Sequence, residues 1–572
     1  MEDNGAFIKS LFRRQAPINI FALLLSTIGP IVCAGLAGTH FGSDGLAITA
    51  ICAPLFLAAS FFGFIISGGA QIVCSVFIAK DELDNVNKVY SAAVTLTLMA
   101  DVLICAALLA AKTPVLTFMA GEISPELSAY YSFFVLNAFA TMLIYIPLFF
   151  SKIVGRNEIG MVLTGIMSAL SIIASLLLIR FMGIGAIALG QAIGTAAGFT
   201  VSMVMLRKHF KFVFPKELYV KAIFVSGSPV GLTRLYILFT TIILNALFLR
   251  VGGGGALAVF GVVSMLHRFS TAFIVGISQT LVPLVSVFNE EQDITSIKQT
   301  MKLAFRYGNV LMLIAGVVFV VFNAQIAGIF GLPADSGFFA AMPFYAVYGI
   351  LVLNTSIFSS YYNAAKKLKL ANAIPFLQEF ALLCGGAYIL SAGFGINGIW
   401  VAFPLSGVLT LLITAFLLVA VRFRQKDLSF LLLQSRKLEK DGRYISFSVE
   451  NKLEKASEAA AKISDFCEES GLPPKQTMQI SMSVEEIITL IINKNKTKDF
   501  SVSVRLFILE GTIILRFRNA GEKFDAVEYY KENIADDIEK NLDIIGMKYI
   551  TQSANVIYYR QTFGVNSLVV IL

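Results

Sequence analysis

Twelve runs of about 20 or more apolar residues, parted by short polar breaks, fill the first 425 positions of this 572-residue chain. They decide what it can fold into, because about 20 apolar residues of helix cross the roughly 30 Å hydrocarbon layer of a bilayer. Within that layer every backbone polar group must be bonded inside the segment, which leaves helices as the solution for runs of this length. The expected spans are 17–39, 46–79, 90–111, 128–152, 160–181, 185–206, 220–250, 255–288, 305–330, 338–363, 371–391 and 396–421. A composition of 57% hydrophobic and 14% charged residues excludes an ordinary soluble protein.

Charge is unevenly spread. From Arg443 onward there are 16 Lys/Arg and 18 Asp/Glu, against 29 and 19 before it, so the last 130 residues read as a soluble, slightly acidic domain and the net charge of +8 belongs to the membrane part. Basic residues also alternate between the two sets of loops. Lys9, Arg13, Arg14, Lys80, Arg156, Arg207, Lys208, Lys298, Lys302 and Lys366 fall on one side, and Lys112, Arg180 and Arg250 on the other. The positive-inside rule then places both termini, and the tail, in the cytoplasm of a plasma-membrane protein. No basic patch interleaved with aromatics appears in the tail, so nucleic acid is not an expected partner. The six cysteines are scattered with no CxxC or Cys/His spacing, and neither a metal site nor a disulfide framework is expected. Residues 1–16, "MEDNGAFIKSLFRRQA", are too polar for a cleaved signal peptide and read as a cytoplasmic leader.

Sliding the sequence by 211 lays "GLAITAI" (45–51) on "ALAVFGV" (256–262) and pairs Ile66 with Ile277, and a shift of 212 lays "GIGAI" (183–187) on "GINGI" (395–399). Two six-helix lobes follow, 17–210 and 211–421. With an even number of helices per repeat, they are parallel and related by an axis along the membrane normal. The expected fold class is thus an all-α polytopic membrane protein of twelve transmembrane helices in two lobes, a basic linker over 422–442 that is also suited to lie on membrane lipid, and a cytoplasmic α+β two-layer domain over 443–572.

Five stretches, "FGSDGLAITAICAPL", "SGGAQIVCS", "SGSPVGLTRL", "GGGGALAVFGV" and "ISQTLVPLVSVFNEEQD", resemble in order and spacing the multidrug and toxic compound extrusion (MATE) transporters over roughly residues 15–425. The resemblance implies a secondary antiporter that exports small organic molecules or drugs by alternating access, coupled to H+ or Na+. Many relatives carry an acidic residue in the first helix, and here that position is Cys33. A thiol with an ordinary pKa near 8.5 does not replace a carboxylate as a cation site, so coupling needs another group.

An ionisable residue inside a span costs several kcal/mol and marks a functional candidate. Asp101, Arg234, His267, Arg268 and Glu379 are the substrate- or ion-binding candidates. His267 and Arg268 are adjacent and so about 100° apart on a helix, which lets at most one point inward. The arginines suggest a cavity that favours an anionic or acceptor group. In the alternative, Arg234 and Arg268 bond carbonyls freed by Pro229 or pair with Glu379, and Asp101 and His267 are packed polar residues.

The tail alternates in "SVSVRLFI" and "TIILRFR", as paired strands do. Its order of strands and helices resembles the ATPase domain of the GHKL superfamily, the anti-sigma-factor serine kinases above all. "SVEEIITLI" resembles that family's helix with a catalytic glutamate, here Glu486. The magnesium-binding asparagine four residues on is Leu490, which offers no oxygen to a hard cation. "RNAGEKFD" resembles the adenine loop, with Asn519 in place of aspartate and Gly521 kept, and Gly546 is what remains of the lid glycines. A degenerate domain with no catalytic residue, no cofactor and a cytoplasmic protein partner is expected. The alternatives are a membrane-tethered ATP-dependent serine kinase and a lipid-linked saccharide flippase.

Overall fold

The computed structural model describes residues 5–79, 82–120, 123–214, 217–329, 337–424, 432–433, 442–495, 500–509, 512–533, 547–548, 550–551, 554–562 and 565–572. Gly546, the "EG" turn at 510–511 and most of the expected linker lie outside the described residues. The chain divides into two compact units: Gln15–Ser286 with Met301–Ala415, and Met1–Arg14 with Val287–Thr300 and Phe416–Leu572. The expected division at residues 16 and 442 differs, because a leader segment and the stretch 287–300 pack with the tail.

The larger unit is helical. Its elements come from α1 (Gly5–Ala79), α2 (Leu83–Ala110), α3 (Lys112–Ala120), α4 (Pro125–Ile153), α5 (Asn157–Met182), α6 (Gly185–Leu206), α7 (Val220–Glu290), α8 (Ile294–Val321), α9 (Asn323–Ile329), α10 (Phe338–Ala364), α11 (Leu368–Phe376) and α12 (Leu382–Arg424), with a π-helical turn at Leu377–Ala381. At 1.5 Å per residue α1 follows roughly 110 Å of helix, too long for one crossing, and α7 breaks at Gly253 (φ 68°, ψ −164°). Each carries two apolar segments: Gly5–Ala37 and Leu55–Ile78 in α1, Arg234–Gly253 and Val259–Asn289 in α7. Eleven such segments occur among the described residues, and the last, Leu368–Phe423, runs for 56 residues with a break at Gly395.

That break has a twin. Gly395 (φ 56°, ψ −136°) and Gly183 (φ 56°, ψ −143°), the glycines that the shift of 212 superimposes, share one left-handed-side conformation that only glycine adopts without strain. Gly183 ends α5 before α6, and Gly395 divides the 56-residue segment in the same way.

The lobes meet through the same symmetry. An added Cβ at Gly231 would strike the side chain of Ile65, and one at Gly276 would strike Ile20. Residues 20 and 231, and 65 and 276, are each 211 apart, so the two contacts are images of each other under the repeat. A turn away from Gly231, Gly69 and Gly227 bring two backbones together, since a Cβ on either would run into the carbonyl oxygen of Ile223 or of Ile65. Gly227 and Gly231 form the small-xxx-small spacing that lets membrane helices approach this closely. Beside Ile20, Asn19 Nδ2 donates to Thr280 Oγ1 at 2.9 Å in a buried cross-lobe hydrogen bond.

The smaller unit holds a five-stranded antiparallel sheet, in spatial order β1 (Arg443–Glu450), β2 (Ser501–Leu509), β3 (Thr512–Asn519), β5 (Val565–Ile571), β4 (Val556–Thr562). The alternation seen in the sequence sets its faces. Val502, Val504 and Leu506 of β2 and Ile513, Leu515 and Phe517 of β3 point into an apolar core. That core is closed by α13 (Glu454–Glu469), through Ala456, Ala459, Ile463 and Cys467, and by α14 (Pro474–Lys494), through Ile480, Val484, Ile487 and Ile491. The spacing of three and four along each helix forms the stripe that an amphipathic helix buries. A short α15 (Ala526–Asn533) adds Ala526 and Tyr530.

Replacing Gly227 by Val is expected to lower the thermal midpoint of the purified full chain, because overpacking of this kind costs about 1–3 kcal/mol. Gly261→Ala, where the Cβ meets nothing within 4 Å, serves as the control and should leave the midpoint unchanged.

Candidate functional site

In the larger unit the five ionisable candidates do not form one cluster. Asp101 on α2 is fully buried, its Oδ1 accepts from the Cys105 thiol at 3.6 Å, and its Oδ2 has no partner among the described residues. Glu379 lies inside the π-helical turn that follows Pro375, a deformation that often marks functional positions. Its Oε2 is buried without a hydrogen-bond partner among the described residues, while its backbone oxygen accepts from Thr240 Oγ1. Arg234 stands one turn past the Gly231–Ile65 contact, with its guanidinium 4.2 Å from the centre of the Phe64 ring. Phe64 belongs to the other lobe, so this cation–π pair spans the lobe boundary. No ion pair joins Arg234 to Glu379 among the described residues. His267 is half-buried, Nδ1 3.2 Å from the Tyr345 hydroxyl, with its ring stacked near Tyr348. Tyr345 in turn donates to Ser270 Oγ at 3.0 Å. Arg268 is exposed, on a different face from His267 as their adjacency requires. Cys33 is buried with Sγ 3.8 Å from Ser175 Oγ.

The strongest electrostatic feature of the chain is in the smaller unit and was not foreseen from the sequence. The face of the sheet opposite its helices carries Arg505 on β2, Arg516 and Arg518 on β3 and Arg560 on β4. Register places Arg505 beside Arg516, and Arg518 across Ser567 from Arg560. All four converge on two carboxylates of the turn between α7 and α8. Arg518 pairs with Glu291 through Nη2 and with Asp293 Oδ2 at 2.7 Å through Nη1. Arg505 pairs with Asp293 Oδ1, Arg560 reaches Glu291 Oε1 at 2.7 Å, and Arg516 stands 3.5 Å from Glu291 Oε2. The side chains of Arg518, Glu291 and Asp293 are at most 2% exposed. Phe288 lies under the Arg518 guanidinium at 5.0 Å.

Local sequence explains part of this. Asp293 caps the N-terminus of α8, accepting from Ser296 N at 3.1 Å and Ser296 Oγ at 2.7 Å, a role for which aspartate is among the preferred residues. Gln292 between the two acids has φ 53°, a left-handed conformation that a non-glycine residue holds only when its surroundings over-determine it. A cavity of about 60 Å³ beside the turn, lined by Glu291, Gln292, Arg505, Phe507, Ile514 and Arg516, has room for a water or two.

Burial by itself would push both carboxyls up. For Glu291 it is outweighed by Arg518, Arg516 and Arg560, and for Asp293 by Arg505 and Arg518, so both are held below the usual carboxylate range. The alternation of Arg505, Arg516 and Arg518 along two strands was a readable signal of a charged sheet face. The acids that answer it lie more than 200 positions away.

The expected nucleotide positions are occupied by the chain's own packing. Leu490 is 1% exposed and belongs to the apolar core of the tail, and Glu486 is half-buried on the same helix. Asn519 Oδ1 accepts from Gly521 N at 3.1 Å and from Asn566 Nδ2 at 2.9 Å. Asn566 Nδ2 also donates to the Gly521 and Glu522 carbonyls, its Oδ1 accepts from the Tyr559 hydroxyl at 2.7 Å, and Asn495 Oδ1 accepts from Glu522 N at 2.6 Å. A Cβ on Gly521 would strike Asn495, which explains the glycine without a nucleotide. Asn495 and Asn566 were not singled out from the sequence, since asparagine in a loop or strand carries no pattern of its own.

A family model described as "Polysaccharide biosynthesis protein" matches residues 42–289. The multidrug export protein MepA of Staphylococcus haemolyticus is 24% identical over 342 residues, 57% of this chain and 74% of that protein. MepA of Staphylococcus aureus is 24% identical over 292 residues, 49% and 64%. Among solved structures, an outward-facing multidrug resistance MATE family transporter of the MOP superfamily superposes with a TM-score of 0.65 at 17% identity, over 74% of this chain and 99% of that one. A MOP superfamily transporter from Pyrococcus furiosus, described by the reverse polarity of its binding pocket, gives 0.65 at 16% identity over the same shares.

Two outcomes test the ionic cluster. Arg518→Ala removes the guanidinium shared by both buried carboxylates, leaves them the contacts of Arg505, Arg516 and Arg560, and should destabilise the tail by up to about 3 kcal/mol, read as earlier unfolding in urea. Carboxyls held below their ordinary values contribute stability that is fully present above those values, near 4, and is lost as pH falls through the depressed ones. Tail protection against proteolysis should therefore be constant from pH 7 to about 5 and fall only in stronger acid.

Proposed function

We propose that this chain, whose membrane part has the MATE fold, exports small organic molecules by alternating access of its two lobes, driven by an inward gradient of H+ or Na+. The observation that carries the reading is the symmetric lobe contact. Ile20 with Gly276 and Ile65 with Gly231 form one seam built twice, which a two-lobe rocking carrier needs and a mere anchor does not. MepA relatives are named as multidrug export proteins, which supports the same substrate class. Both termini and the tail lie in the cytoplasm in this reading, as the loop charges require.

Arg234 at the seam suits an anionic or acceptor-bearing substrate and is the residue we assign to it. Asp101 and Glu379, each with a buried oxygen that has no partner among the described residues, are the groups assigned to the coupling ion in place of Cys33. The tail does no phosphoryl transfer, since Leu490 takes the metal position and Asn566 occupies the Asn519 carboxamide; it acts by binding and regulation. A second reading, a flippase for lipid-linked saccharides, is favoured by the family model over residues 42–289.

The test is dye movement in vesicles holding the full chain under imposed H+ or Na+ gradients. Gradient-driven transport of an anionic dye that falls at least tenfold in Arg234→Ala, and stops in Asp101→Asn or Glu379→Gln, is the expected result. Cationic-dye export unchanged in Arg234→Ala would contradict the anionic assignment. Competition by a lipid-linked diphosphate saccharide, with no dye moved, would move the reading to the flippase.

A further inference from the structure

We propose that the arginine face of the tail sheet is a clasp on the transport cycle, holding the start of the first span and the turn between the eighth and ninth spans together so that the lobes part on that side only when it lets go. The inference rests on the alternating-access reading for its consequence but not for its geometry. One compact unit contains residues 1–14, 287–300 and the tail. The leader belongs there by packing: Phe7, Ile8, Leu11 and Phe12 are at most 1% exposed, while Lys9, Arg13 and Arg14 face outward. Phe7 N donates to Ser448 Oγ on β1 at 3.3 Å, and Arg14 Nη1 donates to the Ala520 carbonyl just past β3 at 3.0 Å. The other held segment is the Glu291–Asp293 turn, fixed by four arginines of the same sheet.

What makes these two segments matter is where the chain goes next. Five residues of continuous helix after Arg14 comes Asn19, and seven before Val287 comes Thr280, the partners of the buried cross-lobe hydrogen bond. Ile20 and Gly276, a close cross-lobe contact of the same two spans, are in the adjoining turn. Those intervals are roughly 7.5 and 10.5 Å of helix at 1.5 Å per residue, short enough to transmit position rather than absorb it. A tail that grips both segments therefore keeps the first and eighth spans joined at their tail-side ends, and alternating access requires them to separate. A domain of degenerate kinase-like form thus finds a mechanical use: its helix-free face, which a sheet must cover or expose, is covered by the leader and by the turn between α7 and α8.

The experiment uses the full chain in lipid nanodiscs with spin labels at Lys9→Cys and Lys298→Cys, both exposed positions, one in each held segment. Of the native cysteines only Cys105 is not buried, and it is replaced by Ala. The intact chain should give one narrow distance. Glu291→Gln with Asp293→Asn should add a second, longer population and raise turnover in vesicles at least threefold at unchanged KM. A single distance in both proteins, or a longer distance with turnover unchanged or lowered, overturns the clasp. Arg560→Gln, which removes one contact at the rim, takes the place of the double variant if that fails to fold and should show the same change in smaller measure. If no transported molecule is found, the distance alone still decides whether the clasp exists, so its failure is distinguishable from failure of the export reading.

Discussion

Four guanidinium groups on one sheet face and two carboxylates on one turn form the interaction on which the smaller unit depends. Burying six charges is expensive, and the cost is repaid only in part, because Nε of Arg516, Arg518 and Arg560 is buried with no hydrogen-bond partner among the described residues. Here Arg518 spans both acids, Asp293 also caps α8, and Ser567 and Ser296 add hydroxyl donors, so each carboxylate is bonded from several sides. The arrangement is worth less as net stability than as specificity. An apolar sheet face could be covered by many apolar segments, but this one is complementary to a turn that presents two acids one residue apart with Gln292 held left-handed between them.

The membrane part solves a different problem, which is how two lobes with no hydrophobic driving force between them in lipid hold together. Small residues answer it by letting backbones touch over a short stretch. Gly69, Gly227, Gly231 and Gly276 make a seam that is narrow and repeated by the internal symmetry, and a narrow seam can open. Polar contacts across it include Asn19 with Thr280 and Arg234 over Phe64.

Much of this architecture was legible in the sequence. The apolar runs mark the membrane segments because bilayer thickness imposes their length, and the shifts of 211 and 212 are recovered as paired contacts and as the twin conformations of Gly183 and Gly395. The stretches "SVSVRLFI" and "TIILRFR" are recovered as the paired strands β2 and β3, since period-two alternation is local. What could not be read is long-range pairing. Glu291 and Asp293 sit in a stretch noted only for its family likeness, and nothing within 200 residues of them announces four arginines. Asp101, Glu379 and Arg234 were legible as costly residues, but their settings were not: a π-helical turn, a thiol neighbour and an aromatic ring from the other lobe follow from packing. The linker was read as 422–442 from composition, whereas the leader's Phe7, Ile8, Leu11 and Phe12 were passed over because twelve polar-flanked residues before a longer apolar run look like a plain terminus.

The central claim is that the tail sheet, the leader and the turn between α7 and α8 are one body held by the arginine face. Hydrogen–deuterium exchange of the full chain in membranes reads this directly. The account predicts that amides of residues 7–12, 291–297 and strands β2 and β3 are protected together, and that Glu291→Gln with Asp293→Asn releases the first two groups while the strands stay protected by their own ladder. Rapid exchange of 7–12 and 291–297 in the unaltered chain, beside protected strands, would contradict it.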